Sequence, residues 1–170
     1  MNEISILMHI LSRKEDLYRI GATKDEILAT LNIKNKNKSI YFQNLIINLA
    51  NYVEPLGIQI RFNPLDSHWF ISFDPELSDI ISAYPFKSQP SLAATLFCIL
   101  IYCIKNSGYV SVQDIKNVRK KENIYDDLRE LRKKGYIIIH KEVNQIQLTP
   151  LIGYHLDINK LFTKLALKLK

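Results

Sequence analysis

Two winged-helix domains in series, an α+β arrangement that is mainly α, are what this sequence predicts. Three observations carry the prediction. The order helix, short helix, longer helix, hairpin is read twice at similar spacing along 170 residues, and a helix-turn-helix followed by a β-wing has that order. Between the two copies lies Tyr84–Pro90, a short stretch with two prolines and the composition of a connection. The chain is 47% hydrophobic, with nine Tyr and seven Phe, which suits packed cores rather than disorder. The boundaries follow: an N-terminal domain over 1–84, a linker over 85–90 and a C-terminal domain over 91–170 that includes a terminal amphipathic helix.

In the first copy, Ile4, Leu7, Met8 and Leu11 form one stripe of a helix over Glu3–Arg13. Gly21 breaks the chain. Thr23 followed by Glu26 makes a capping box for a short helix ending near Leu31. A polar turn, Lys34–Lys38, leads into a longer helix over Ser39–Val53, which Pro55 and Gly57 end. Alternating runs Ile58–Phe62 and Trp69–Phe73 flank the turn Asn63–Ser67 and predict a hairpin. A short helix over Pro75–Ala83 closes the unit.

The second copy opens with a long apolar helix, Leu92–Lys105, broken by Gly108. Ser111 and Asp114 cap a short helix reaching about Arg119. A third helix spans Glu122–Lys134 and ends at Gly135. Tyr136–Val143 and Ile146–Thr149, joined around Asn144, predict the second hairpin. In the terminal helix, Asp157–Leu169, the residues Ile158, Leu161, Phe162, Leu165, Ala166 and Leu169 keep helical spacing, with Lys160, Lys164 and Lys168 on another face. Docking on its own domain, a partner or a membrane surface would each use that stripe.

The net charge of +6 is uneven. Residues 1–90 hold nine Lys/Arg against ten Asp/Glu, and residues 91–170 hold fourteen against seven. A basic half suits an acidic partner or is simply a solvated face. The apolar run Leu92–Ile104 has 13 residues, short of the ~20 that span a membrane. Met1–Leu11 lacks a basic leader and cleavage site, so neither a signal peptide nor membrane attachment is expected. Cys98 and Cys103, the only cysteines, stand about 140° apart on a helix and cannot bridge, which suits a reducing interior.

Chemistry finds little footing. His9, His68, His140 and His155 lie in different elements without metal-ligand spacing. Five glycines in all do not make a phosphate cradle. The pair Asp126-Asp127 reads as a solvated helix surface. No catalytic residue, metal or cofactor is expected.

Binding is the remaining class. The helix-turn-helix prior is DNA, read by the second helix of the motif. In Glu122–Lys134 that helix begins with Glu122, Asp126, Asp127 and Glu130, which would face a polyanion. Candidate nucleic-acid contacts are therefore the flanking Arg119, Lys120, Lys121, Arg132, Lys133 and Lys134, if they do not only balance a helix dipole. On the Ser39–Val53 helix, Phe42, Leu45, Ile46, Leu49 and Val53 point inward. Ile40, Tyr41, Ile47 and Tyr52 are surplus and mark a candidate dimer interface. On Leu92–Ile104 the residues Leu96, Phe97, Leu100 and Ile104 serve the core. Ile99, Ile101 and Tyr102 are left as a candidate partner interface or as packing between domains.

Several segments resemble one family. Gly57-Ile58-Gln59-Ile60-Arg61, Trp69-Phe70-Ile71 with Asp74-Pro75-Glu76-Leu77, Ser91–Leu96, Asp114–Arg119 and Asp157–Phe162 resemble segregation-and-condensation protein B, ScpB, the kleisin-binding tandem winged-helix family of SMC complexes. The likeness covers about residues 40–162. It departs at Lys120, where the family has glycine after the arginine, and over Lys141–Thr149, which lacks the family's Gly-Arg and Pro-Gly-Arg-Pro stretch. The resemblance implies a cytoplasmic, nucleoid-associated homodimer joined largely by its first domains. It further implies binding to an ScpA-like kleisin, and through it SMC, in chromosome organisation. Weak non-specific DNA contact, or a winged-helix transcriptional regulator, is the alternative.

Overall fold

The computed structural model describes residues 3–33, 37–73, 86 and 88–168. The fold is α+β and mainly helical, with two small antiparallel sheets. The chain forms two compact units: residues 1–83 with 156–170, and residues 84–155.

In the first unit α1 (Glu3–Ser12) is followed by β1 (Ala22–Thr23), α2 (Lys24–Thr30), α3 (Lys38–Val53), β2 (Ile58–Asn63) and β3 (His68–Phe73). The strand order is β1-β3-β2, with Thr23 opposite His68 and Ile60 opposite Ile71. The capping box predicted for α2 is present. The Thr23 N–H donates to Glu26 Oε2 at 2.8 Å, and the Glu26 N–H donates to Thr23 Oγ1 at 3.3 Å. That backbone hydrogen bond holds the Glu26 carboxyl below its ordinary range; burial opposes it, and the Arg19 charge adds to it. Leu7, Leu11, Ile27, Leu49 and Val53 are fully buried and form the centre of the core. Together they place the open side of α3 beside the hairpin.

The second unit repeats the order with α4 (Pro90–Lys105), β4 (Tyr109–Ser111), α5 (Val112–Arg119), α6 (Ile124–Lys133), β5 (Ile137–His140) and β6 (Gln145–Leu148). Its strand order, β4-β6-β5, matches the first sheet. Ser111 caps α5 by accepting from the Asp114 N–H at 3.0 Å. Lys120, after Arg119, takes a left-handed conformation with φ 47°, which glycine adopts at least cost. The terminal elements are α7 (Leu151–His155) and α8 (Ile158–Lys168).

Four details correct the sequence reading. The short strands β1 and β4 and the helix α7 were not expected. α6 starts at Ile124 rather than Glu122. Pro90, placed in the linker, is the first residue of α4, a position its fixed φ and missing N–H suit. The terminal helix groups with the first unit rather than the second, and Asp157 lies 3.8 Å from Arg61 of β2. The helix expected over Pro75–Ala83, part of the Lys34–Lys38 turn, most of the linker and Leu169 lie outside the described residues.

Gly21 shows how tightly the first unit is closed. Its φ is 77°, and a Cβ there would stand 1.9 Å from the Trp69 carbonyl oxygen. Gly21→Ala is therefore expected to cost about 3 kcal/mol or more. Urea unfolding should show a lower midpoint at unchanged slope.

Candidate functional site

Two places in the structure gather residues of functional interest, one in each unit.

The first lies on α3. Ile40 and Ile47 are 60% and 55% exposed. Being seven residues apart, about two turns, they share one line of the helix. Ile47 borders an open groove of about 800 Å³ whose apolar walls are Phe42, Ile46, Phe62 and Trp69. Thr23, Lys24 and Asp25 of the α2 start, with Gln43 and Ser67, form its polar rim. Trp69 packs edge-on against Phe42 at 5.5 Å between ring centroids and tilted against Phe62 at 5.1 Å. Lys24 Nζ stands 5.6 Å from the Phe42 ring centroid and donates to Ser39 Oγ at 2.8 Å. The groove can accept an apolar side chain from another molecule while offering charges of both signs at its edge.

The second place joins three elements of the second unit. Asp127 of α6 is 8% exposed. Its Oδ2 accepts from Thr95 Oγ1 of α4 at 2.6 Å, and its Oδ1 accepts from Lys121 Nζ at 2.7 Å. Thr95 Oγ1 in turn accepts from Arg119 Nε at 3.1 Å. Lys121 Nζ also reaches Ser91 Oγ at 3.0 Å, and Arg119 Nη2 reaches the Ser91 carbonyl oxygen at 3.3 Å. Burial pushes the Asp127 carboxyl up. The hydrogen bonds from Lys121 and Thr95, with the charges of Lys121 and Arg119, outweigh burial and leave it below the ordinary carboxylate range.

No family model and no curated protein matches the chain. Among solved structures it is similar to ScpB. The crystal structure of ScpB from Mycobacterium tuberculosis is 14% identical with a TM-score of 0.35, covering 88% of this chain and 91% of that one. A conserved hypothetical protein from Chlorobium tepidum is 14% identical with a TM-score of 0.39, covering 85% and 88%. At TM-scores this low, neither likeness bears on what this chain binds.

The candidate residues do not all fall where the sequence placed them. Ile40, Ile47 and Tyr52 are exposed, but Tyr52 lies about 120° or more round α3 from the two isoleucines. Tyr41 is half-buried against the core, and its hydroxyl is raised above the ordinary tyrosine range, chiefly by hydrogen bonding with Glu3. The expected four-residue patch is therefore split. Ile99 is 0% exposed and is a core residue, whereas Ile101 is exposed and Tyr102 half-buried. The core stripe of α4 is Leu92, Thr95, Leu96, Ile99, Leu100 and Cys103, turned by one residue from the expected one because Thr95 points inward with its hydroxyl partnered. Asp127, expected in solvent, is buried for the same reason.

Among the candidate nucleic-acid contacts, Arg119 and Lys121 are engaged within the unit, while Lys120, Arg132 and Lys133 are exposed. Half-buried Lys134 lies 3.6 Å from Glu130. Sequence reasoning missed the groove walls Phe62 and Trp69 and the Thr95–Asp127 pair; each depends on contacts across elements.

Among the described residues no group of three or more His, Cys, Asp or Glu side chains is gathered to hold a metal ion. No described helix is long and apolar enough to cross a membrane. Burial pushes the Cys103 thiol up to about 11, so it is protonated at neutral pH and a poor nucleophile.

Because the folded Asp127 carboxyl titrates below its unfolded value, its stabilisation is present above about pH 4 and is lost as pH falls through the lower folded value. Asp127→Asn should cost about 1–3 kcal/mol at pH 7. The loss relative to wild type should shrink towards pH 2, as measured by urea unfolding across pH.

Proposed function

We propose that this chain is a non-catalytic, ScpB-like subunit built of two winged-helix units. It dimerises through the first unit and binds a kleisin subunit of an SMC complex in chromosome organisation. The observation that carries the reading is the exposed pair Ile40 and Ile47 on one line of α3, with Ile47 bordering the apolar groove. Leaving large apolar side chains in water forgoes about 1.5–3 kcal/mol each, and a two-fold contact covers such a patch with one surface.

The repeated strand orders β1-β3-β2 and β4-β6-β5, each following a helix, short strand, helix, helix sequence, support the winged-helix reading. The sequence resemblance over residues 40–162 supports the kleisin partner. Exposed Ile101 and half-buried Tyr102 remain the proposed partner contacts on α4. Nucleoid association in the cytoplasm would follow from binding the complex.

A second reading, a DNA-binding regulator, is favoured by exposed Arg132 and Lys133 at the end of α6. The acidic start of α6 and the inward turn of Arg119 and Lys121 weigh against groove reading. Steeply salt-dependent, sequence-independent binding would reflect only the basic surface.

The double variant Ile40→Lys, Ile47→Lys is expected to leave the fold intact, since the buried stripe is untouched, and to convert the dimer to a monomer by sedimentation. Wild-type protein should retain a kleisin in a pull-down from native extract. A monomeric wild type would sink the dimer, and specific duplex binding that survives random competitor would favour the regulator.

A further inference from the structure

The cations of the second unit converge on a serine hydroxyl. Ser91 is exposed in the first turn of α4. Its Oγ lies 3.0 Å from Lys121 Nζ and 3.5 Å from Arg119 Nη2. Neither cation is reaching outward: both are half-buried, Arg119 at the end of α5 and Lys121 in the turn before α6. One carboxylate, Asp127, shares Lys121 at 2.7 Å, so two cations face one buried anion and one neutral hydroxyl. Lys120 stands between them in sequence and is exposed. The start of α4 also has no side-chain cap, because Gln89 makes no capping hydrogen bond.

We propose that Ser91 is a phosphorylation site, with Lys121 and Arg119 as the receptor for the phosphate it carries. In the modifying step a protein kinase binds a nucleoside triphosphate, and Ser91 Oγ attacks the terminal phosphorus. The Oγ–P bond forms, the bond from that phosphorus to the bridging oxygen breaks, and the nucleoside diphosphate leaves. The hydroxyl proton passes to the kinase's base. The phosphate oxygens then lie within reach of the two cations that already contact Oγ, as charge-assisted hydrogen bonds require. A phosphate near −2 takes the surplus charge that Asp127 leaves unmatched. A free polyanion fits less well, since the two cations point at a protein atom rather than at solvent. Phosphorylation would lower the net charge from +6 to about +4 and hold Arg119 and Lys121 away from any nucleic acid.

The test uses the full chain in two arms. Incubation with ATP and extract of the native cells, followed by mass spectrometry, is expected to place phosphate on Ser91; no phosphate there overturns the proposal. In the second arm phosphoserine is installed genetically at position 91 and, as a control, at exposed Ser107, and each is titrated by phosphorus NMR. The Ser107 phosphate is expected to keep its second pKa near ~6. The Ser91 phosphate should titrate at least about half a unit lower, and Lys121→Gln should at least halve that difference. Equal titration of the two phosphates, or unfolding of the Ser91 phosphoprotein, overturns the proposal. Tight binding of inorganic phosphate by the unmodified chain would point to a diffusible anion and overturn the covalent reading.

Discussion

A carboxylate buried to 8% exposure inside a small helical unit has to be paired, because an uncompensated buried charge costs several kcal/mol. Asp127 is paired by Thr95 from α4 and Lys121 from the turn before α6, and much else in the second unit follows from that constraint. Thr95 must face inward to donate, which fixes the rotation of α4 and makes Ile99 core while Ile101 stays outside. Arg119 must reach Thr95, and Lys121 must reach Asp127, from either side of one residue. Lys120 sits between them with φ 47°, a left-handed step disfavoured for a residue with a Cβ. A glycine there would make the same step at lower cost; in Lys120 an added charge accompanies the strained backbone.

What was legible in the sequence had a local cause. The caps of α2 and α5 depend on residues three apart, Thr23 with Glu26 and Ser111 with Asp114, and both are where the pattern placed them. The two hairpins declared themselves by alternation and turn residues. β1 and β4 have two and three residues, too few for alternation to register, so the third strand of each sheet was invisible. The rotation of α4 was misread because a threonine in the core breaks an apolar pattern; its partner is 32 residues away. Of the apolar stripe of the terminal helix, Ile158 is buried, Leu161 and Phe162 are half-buried and Ala166 is exposed, and periodicity says nothing about which unit receives it.

The candidate site on α3 was partly legible for the same reason. A helix apolar on several faces signals more than one contact, and the sequence marked all four surplus residues. It did not distinguish those covered by the chain itself. Tyr41 is covered by packing near α1, where Glu3 lies, whereas Ile40 and Ile47 are exposed. The groove walls Phe62 and Trp69 come from the hairpin, and only the pairing of Phe62 with Trp69 across β2 and β3 brings both rings beside Phe42.

That split narrows what a contact through α3 can look like. A two-fold contact puts each residue of the patch against its counterpart's neighbourhood in reverse order. Ile40 and Ile47, about two turns apart on one line, suit two antiparallel copies of α3, with Ile40 of one meeting Ile47 of the other. Tyr52, on another side of the helix, cannot join that line without a rotation that would withdraw the isoleucines. Ile47 also edges the groove, so an apolar residue arriving along the same line could enter between Phe42 and Trp69. The isoleucine line and the groove are thus one continuous surface, and Tyr52 belongs to a different one.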